Sequence, residues 1–193
     1  MKRTHVALLR GVNLAGRNRV SMPELREAVE SLGHGDVVTY IQSGNVVFAA
    51  RRAAARNQTI AADLETVIAE RTGVNATVIV LGEGELARAV ADNPFSFSDV
   101  SEHRRLHAVF LREPPDDAGL ASVAAAVDRA REKRSRDDAR VVGRVLYLWT
   151  PDGFARSVLR AELDRGGANR TPMREGTARN WATVLALAHL VGR

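Results

Sequence analysis

Residues 39–48, Thr39-Tyr40-Ile41-Gln42-Ser43-Gly44-Asn45-Val46-Val47-Phe48, read as two short strands folded back on each other around Ser43-Gly44. One glycine is enough for such a turn. Gln42, Ser43 and Asn45 nevertheless crowd the tip with polar groups, and that excess marks it as a candidate site.

Working outward, His5 to Val12 is a short apolar run with the look of a first strand. A loop, NLAGRNR, follows. Ser21 then opens a helix: Ser21 and Glu24 make a capping box, Val20 and Leu25 a hydrophobic staple, and Gly33 the stop. Val37 to Ile41 and Val46 to Ala49 are the hairpin strands. A second helix carries Ile60, Leu64, Val67 and Ile68 and ends at Gly73, and Ala76 to Leu81 is a fourth strand. The order β-α-β-β-α-β is the split unit of a ferredoxin-like plait. A short helix from Glu85 to Ala91 stops before Pro94, and Asn93-Pro94-Phe95-Ser96 reads as a connector.

Beyond the connector the pattern restarts. Leu106 to Arg112 is a strand, Ala118 to Ala130 a helix, and Arg140 to Val142 and Val145 to Trp149 are strands meeting at Gly143-Arg144. Helices follow at Phe154 to Leu163 and Thr177 to Val191. His5-Val6-Ala7-Leu8-Leu9-Arg10 echoes His107-Ala108-Val109-Phe110-Leu111-Arg112, and Gly44 to Phe48 echoes Gly143 to Tyr147, at nearly equal offsets. The expected fold is therefore α+β, with two ferredoxin-like (split βαβ, alpha-beta plait) subdomains in tandem. The second is expected to be incomplete, lacking a clear fourth strand and ending in an extra C-terminal helix. The expected boundaries are 1–82, a connector with a short helix over 83–104, and 105–193.

Composition narrows the function. The chain of 193 residues is 45% hydrophobic and 26% charged, as expected of a folded core. It has no cysteine, so disulfides, thiolate metal sites and cysteine nucleophiles are excluded. No apolar run approaches the roughly 20 residues of a spanning helix, and the basic start has no cleavage signal, so a cytoplasmic location without membrane attachment is expected. Net charge is +5, and every basic residue but Lys2 and Lys133 is arginine. Base composition explains that bias more simply than ligand chemistry does.

Gly11-Val12-Asn13-Leu14-Ala15-Gly16-Arg17-Asn18 has the glycine spacing of a P-loop, but Arg17 and Asn18 replace the Lys and Ser/Thr that reach phosphate and Mg²⁺. Nucleotide hydrolysis of that type is rejected. Ser43 has neither a base beside it nor a nucleophile elbow, and turn chemistry accounts for it. Thr177 is a good N-cap with Arg179 beside it, and Arg165, Arg170 and Arg174 precede it. The run RAREKRSRDDAR, Arg129 to Arg140, suggests nucleic acid when taken alone, but three acidic residues dilute it. The five histidines have no ligand spacing, and no carboxylate pair stands out, so no metal, cofactor or catalytic residue is assigned. In a split unit the first and second strands run parallel with the third between them. The loop after strand one and the hairpin tip therefore emerge at one edge.

LLRGVN, the RNRVSM helix entry, TYIQSGNVVF, the NPF connector and TARNWATV together resemble the bacterial domain-of-unknown-function family 1697, from about His5 to Leu190. The resemblance implies two ferredoxin-like subdomains and no known activity. It places the family's recurrent polar positions on Arg10, Gly11, Asn13, Ser43, Gly44, Asn45, Asn93, Ser157, Thr177, Arg179 and Asn180. Two departures stand out: Val158 replaces the usual lysine after Ser157, with Arg160 one turn away as a stand-in, and Ala178 replaces a threonine.

The functional expectation is a small anionic molecule bound by Arg10, Asn13, Ser43 and Asn45, closed over by Arg179 and Asn180. A nucleic-acid-binding module is the alternative. An enzyme ranks last, because no base or nucleophile stands with its partner.

Overall fold

A computed structural model of the protein describes residues 2–13, 17–51, 56–97, 99–165 and 171–193. The fold is mixed α+β, with two four-stranded antiparallel sheets and several helices. The chain divides into two compact units, Met1–Arg88 with Ala186–Arg193 (unit 1) and Ala89–Leu185 (unit 2). No helix among the described residues is long and apolar enough to cross a membrane.

Unit 1 runs β1 (His5–Arg10), α1 (Met22–Ser31), β2 (Gly35–Tyr40), β3 (Asn45–Ala49), α2 (Asn57–Thr72), β4 (Thr77–Gly82) and into α3 (Glu83–Ala91). Its sheet order is β2-β3-β1-β4, with β1 antiparallel to both neighbours. β1 and β2 thus point the same way with β3 between them. Ala7, Leu9, Val46, Phe48, Val78 and Val80 form one core with Leu25 and Val29 of α1 and Ile60, Leu64 and Ile68 of α2. The alternate residues Val6, Leu8, Val47, Ile79 and Leu81 are buried as well, which is why these strands read as unbroken apolar runs.

The capping box forms as the residues dictate. Ser21 Oγ accepts from the Glu24 N–H at 3.2 Å, and the Glu24 carboxylate accepts from the Ser21 N–H at 3.0 Å. These bonds hold the Glu24 carboxyl below the usual carboxylate range. Gly73 ends α2 in the left-handed region at φ +69°, which spares the chain a Cβ penalty there.

Unit 2 contains a 3-10 helix (Val100–Arg105), β5 (Leu106–Phe110), α4 (Asp117–Glu132), β6 (Asp138–Val142), β7 (Val145–Trp149), α5 (Val158–Asp164), α6 (Pro172–Glu175) and β8 (Thr177–Asn180); α7 (Trp181–Leu190) follows. The sheet order is β6-β7-β5-β8, the same pattern as in unit 1.

The second sheet is therefore not incomplete: residues 177–180 are its fourth strand, and the C-terminal helix starts only at Trp181. Thr-Ala-Arg-Asn carries no apolar run. Its alternation, Thr177 and Arg179 buried against half-buried Ala178 and Asn180, becomes strand-like only through pairing with β5, where His107 faces Asn180 and Phe110 faces Thr177.

The helix expected from Phe154 to Leu163 is likewise broken at Ser157. The Ser157 hydroxyl donates to Asp137 Oδ2 at 2.9 Å and accepts the Arg160 N–H at 2.9 Å, so α5 starts afresh there.

The hairpin echo is shifted by one residue. Tyr40 pairs with Asn45 across a four-residue turn, Ile41 to Gly44, whereas Val142 pairs with Val145 across only Gly143 and Arg144. Leu9 N–H donates to Gly44 O at 2.8 Å and Leu111 N–H to Arg144 O at 3.0 Å, so Arg144, not Gly143, is the counterpart of Gly44.

The connector is anchored by aromatic contact. Phe95 and Phe97 lie 6.3 and 5.8 Å from Trp149, with the Arg140 guanidinium 5.2 Å above Phe95. Trp181 sits 6.1 Å from Tyr147.

Candidate functional site

The loop after β1 is held by its own asparagines. The Asn13 N–H donates to Asn18 O at 3.0 Å, and the Asn18 side chain donates to Gly11 O at 2.9 Å. Asn13 Oδ1 accepts the Val20 N–H at 3.0 Å, and its amide donates to Val20 O at 2.8 Å and to Gln42 O at 3.0 Å. That last bond joins the loop to the hairpin tip, so the two segments meet at one edge of the sheet, as the strand directions require. Gly11, Asn13 and Asn18 all lie in the left-handed region, which glycine and asparagine tolerate best.

At the tip, Asn45 is fully buried and donates to Tyr40 O at 3.1 Å and to Ser43 Oγ at 2.8 Å. Its amide thus closes the four-residue turn from inside. Ile41 (φ +48°) and Gly44 (φ +72°) supply the left-handed turns. Arg10 ends β1 opposite Thr77 and is exposed, as are Arg17 and Arg19. Among the described residues none of these three arginines has an acidic partner.

Arg10, Asn13, Ser43 and Asn45 therefore gather at one edge of unit 1. Arg179 and Asn180 lie on β8, in unit 2, and each has partners there. Arg179 is buried opposite Ala108, its Nη1 donating to Thr177 Oγ1 at 2.7 Å and to Ala178 O at 2.9 Å. Burial pulls its pKa down to about 10. Asn180 donates to Arg104 O at 3.0 Å, and its Oδ1 accepts the Ala182 N–H at 3.1 Å. Leu14 to Gly16 of the glycine-spaced loop and Arg170 lie outside the described residues.

The dense basic run is matched internally. Buried Glu162 receives Arg129 Nε at 3.0 Å, Arg165 Nη1 at 2.6 Å and the Lys133 ammonium. The Lys133 and Arg129 hydrogen bonds hold its carboxyl below the usual range. Arg131 and Arg140 face Asp138 at 3.6 and 3.5 Å, and Arg136 pairs with Asp152. Arg160 is 3.6 Å from Asp164 and lies 5.0 Å above the Phe154 ring, so its charge is already matched within unit 2.

Sequence reasoning misses two histidine environments. At the far end of the unit 1 strands, His5 Nδ1 is 2.8 Å from the Thr4 hydroxyl, and Asn57 bonds the same imidazole. Asn57 in turn donates to Glu85 Oε2 at 2.5 Å, which also accepts the Gly82 N–H at 2.9 Å. Phe48 contacts both His5 and His34, at 5.9 and 4.7 Å, and burial lowers both histidine pKa values. In unit 2, His107 stacks 3.9 Å from Phe154 with its Nδ1 buried and unbonded, and burial, aided by Arg160, pushes its pKa down to about 4. The partners are far apart in sequence, so no spacing rule announces them. Among the described residues no group of three or more acidic or histidine side chains is placed to hold a metal ion.

The family model described as "Protein of unknown function (DUF1697)" matches residues 1–147. A solved structure, that of the conserved bacterial protein SP0830 from Streptococcus pneumoniae, resembles the fold with a TM-score of 0.68. The two share 22% sequence identity over 98% of this chain and 99% of that one, a likeness of fold alone. None of the curated proteins matches the chain.

Proposed function

The chain belongs to the family described as protein of unknown function DUF1697, whose model spans most of it, and from that premise we propose that it binds a small anion at the edge of unit 1 where the β1–α1 loop meets the β2–β3 tip. The observation that carries this reading is the Asn13–Gln42 hydrogen bond, which joins the two loops. The neighbouring arginines Arg10, Arg17 and Arg19 are exposed and lack carboxylate partners among the described residues. Guanidinium groups without such carboxylate partners suit phosphate or carboxylate ligands, which they contact in bidentate fashion.

In this reading the arginines touch the ligand. Asn13, Ser43 and Asn45 hold the frame, since their bonds run to the local backbone and to each other. The reading rests on unit 1, because Arg179 and Asn180 are engaged within unit 2.

Nucleic acid draws less support. The run Arg129 to Arg140 is largely neutralised by Glu162, Asp138 and Asp152. The sheet residues Val6, Leu8, Val47, Ile79 and Leu81, on the face a base-stacking plait keeps open, are buried.

The reading also takes each unit as a ferredoxin-like plait and the chain as a tandem duplication. Identical strand orders and the matched Leu9–Gly44 and Leu111–Arg144 bonds support it.

The test is a thermal-shift screen of phosphate, nucleotides and carboxylates at low salt, on the native chain and on Arg10→Ala/Arg17→Ala/Arg19→Ala. A ligand at a hundred times its Kd stabilises by about 2.7 kcal/mol. The shift is expected to vanish in the triple variant while its far-UV circular dichroism stays native. The reading fails if no anion shifts the transition, or if the shift survives the substitutions.

A further inference from the structure

Ile41 is the odd residue of this edge. It occupies the left-handed region at φ +48° and is 53% exposed. A β-branched side chain is crowded by its own backbone in that conformation, where glycine or asparagine would sit with little strain. Burial does not compensate, since more than half of the side chain faces water. The chain therefore keeps at this point a residue that satisfies neither the turn nor the core.

The backbone around it is tied down. The next residue, Gln42, is tied through its carbonyl to Asn13. Arg10 adjoins Gly11, whose carbonyl is bonded by Asn18, and Arg17 and Arg19 flank Asn18. Ile41 is thus carried on the tip that is bonded to the loop bearing Arg10, Arg17 and Arg19, three exposed arginines without acidic partners among the described residues.

We propose, resting on the anion-binding reading above, that the ligand of this edge is an organic anion with an apolar group next to its charge, such as an aryl or alkyl phosphate or carboxylate, and that Ile41 contacts the apolar group. The arginines take the charged end. Ile41 separates such a molecule from the bare inorganic ion.

The experiment is titration calorimetry at low salt with two matched pairs, phenyl phosphate against inorganic phosphate and benzoate against acetate. Each is titrated into the native chain and into Ile41→Asn, a substitution suited to a left-handed turn. In at least one pair the aryl member is expected to bind the native chain about tenfold more tightly, the scale of covering a small apolar contact. In Ile41→Asn that advantage should fall to about twofold or less, with the affinity of the bare ion unchanged. Equal affinities within both pairs, or an advantage that persists in Ile41→Asn, would overturn the role of Ile41 and leave anion binding standing. Failure of all four probes to bind the native chain would overturn this inference, and together with no shift in the wider anion screen it would overturn anion binding as well.

Discussion

Gly44 lies against Leu9 so closely that a Cβ on the glycine would stand 2.8 Å from the Leu9 Cβ and 2.6 Å from Val12 Cγ2. Leu9 belongs to β1 and Val12 to the loop that follows it, and the Leu9 N–H bonds the Gly44 carbonyl. Gly44 also sits at φ +72°. Gly44→Ala meets steric overlap and left-handed strain together, and should cost about 2–4 kcal/mol. Urea unfolding should show a lower midpoint with an unchanged m-value. A loss below about 0.5 kcal/mol, the range of ordinary surface substitutions, would contradict the packing described.

Asn13 offers a cleaner dissection, because its side chain makes three bonds while its backbone is left-handed at φ +55°. Asn13→Gly keeps the backbone freedom and removes the bonds, at an expected cost of about 2–3 kcal/mol. Asn13→Ala adds the left-handed penalty, about 1 kcal/mol more. Denaturant titration of the two variants should rank them in that order. Equal stabilities would show that the backbone conformation there is not under strain.

His107 makes stability fall on acidification. Its folded pKa of about 4 lies below the ordinary 6.5, so the unfolded chain takes up the proton first as pH drops. Stabilisation that is complete above pH 6.5 is lost as pH falls toward 4, at no more than about 1.4 kcal/mol per pH unit from this group. His107→Phe retains a ring against Phe154 and should flatten the melting temperature between those limits. Some slope should remain, because His5 and His34 are shifted in the same direction.

Glu162 is the hub on which Arg129, Lys133 and Arg165 converge. Glu162→Gln keeps the shape but leaves three cations facing one another. The melting temperature should fall, and added salt should restore part of the loss by screening their repulsion. A drop that salt leaves untouched would assign the effect to packing instead.

Much of this architecture is legible in the residues. Ser21 with Glu24 announces the start of α1, Gly73 the end of α2, and the apolar runs mark β1, β3, β4, β5 and β7. β8 escapes notice because four residues with one alanine have no pattern until β5 pairs with them. The meeting of the β1 loop with the hairpin tip follows from parallel β1 and β2. What the tip residues do does not follow. Asn45 turns inward and Asn13 bridges two loops where Ile41 and Asn13 adopt positive φ, and nothing in a residue's identity declares that choice.

Both tryptophans of the chain, Trp149 and Trp181, fall in unit 2, beside Phe95 and Tyr147 respectively. Indole emission is therefore a private reporter of that half, whereas far-UV ellipticity sums the helices of both. Following the two signals through one melt turns an accident of tryptophan placement into a measure of cooperativity. Superimposed curves mean that the halves unfold as one, and separated curves that each has its own transition.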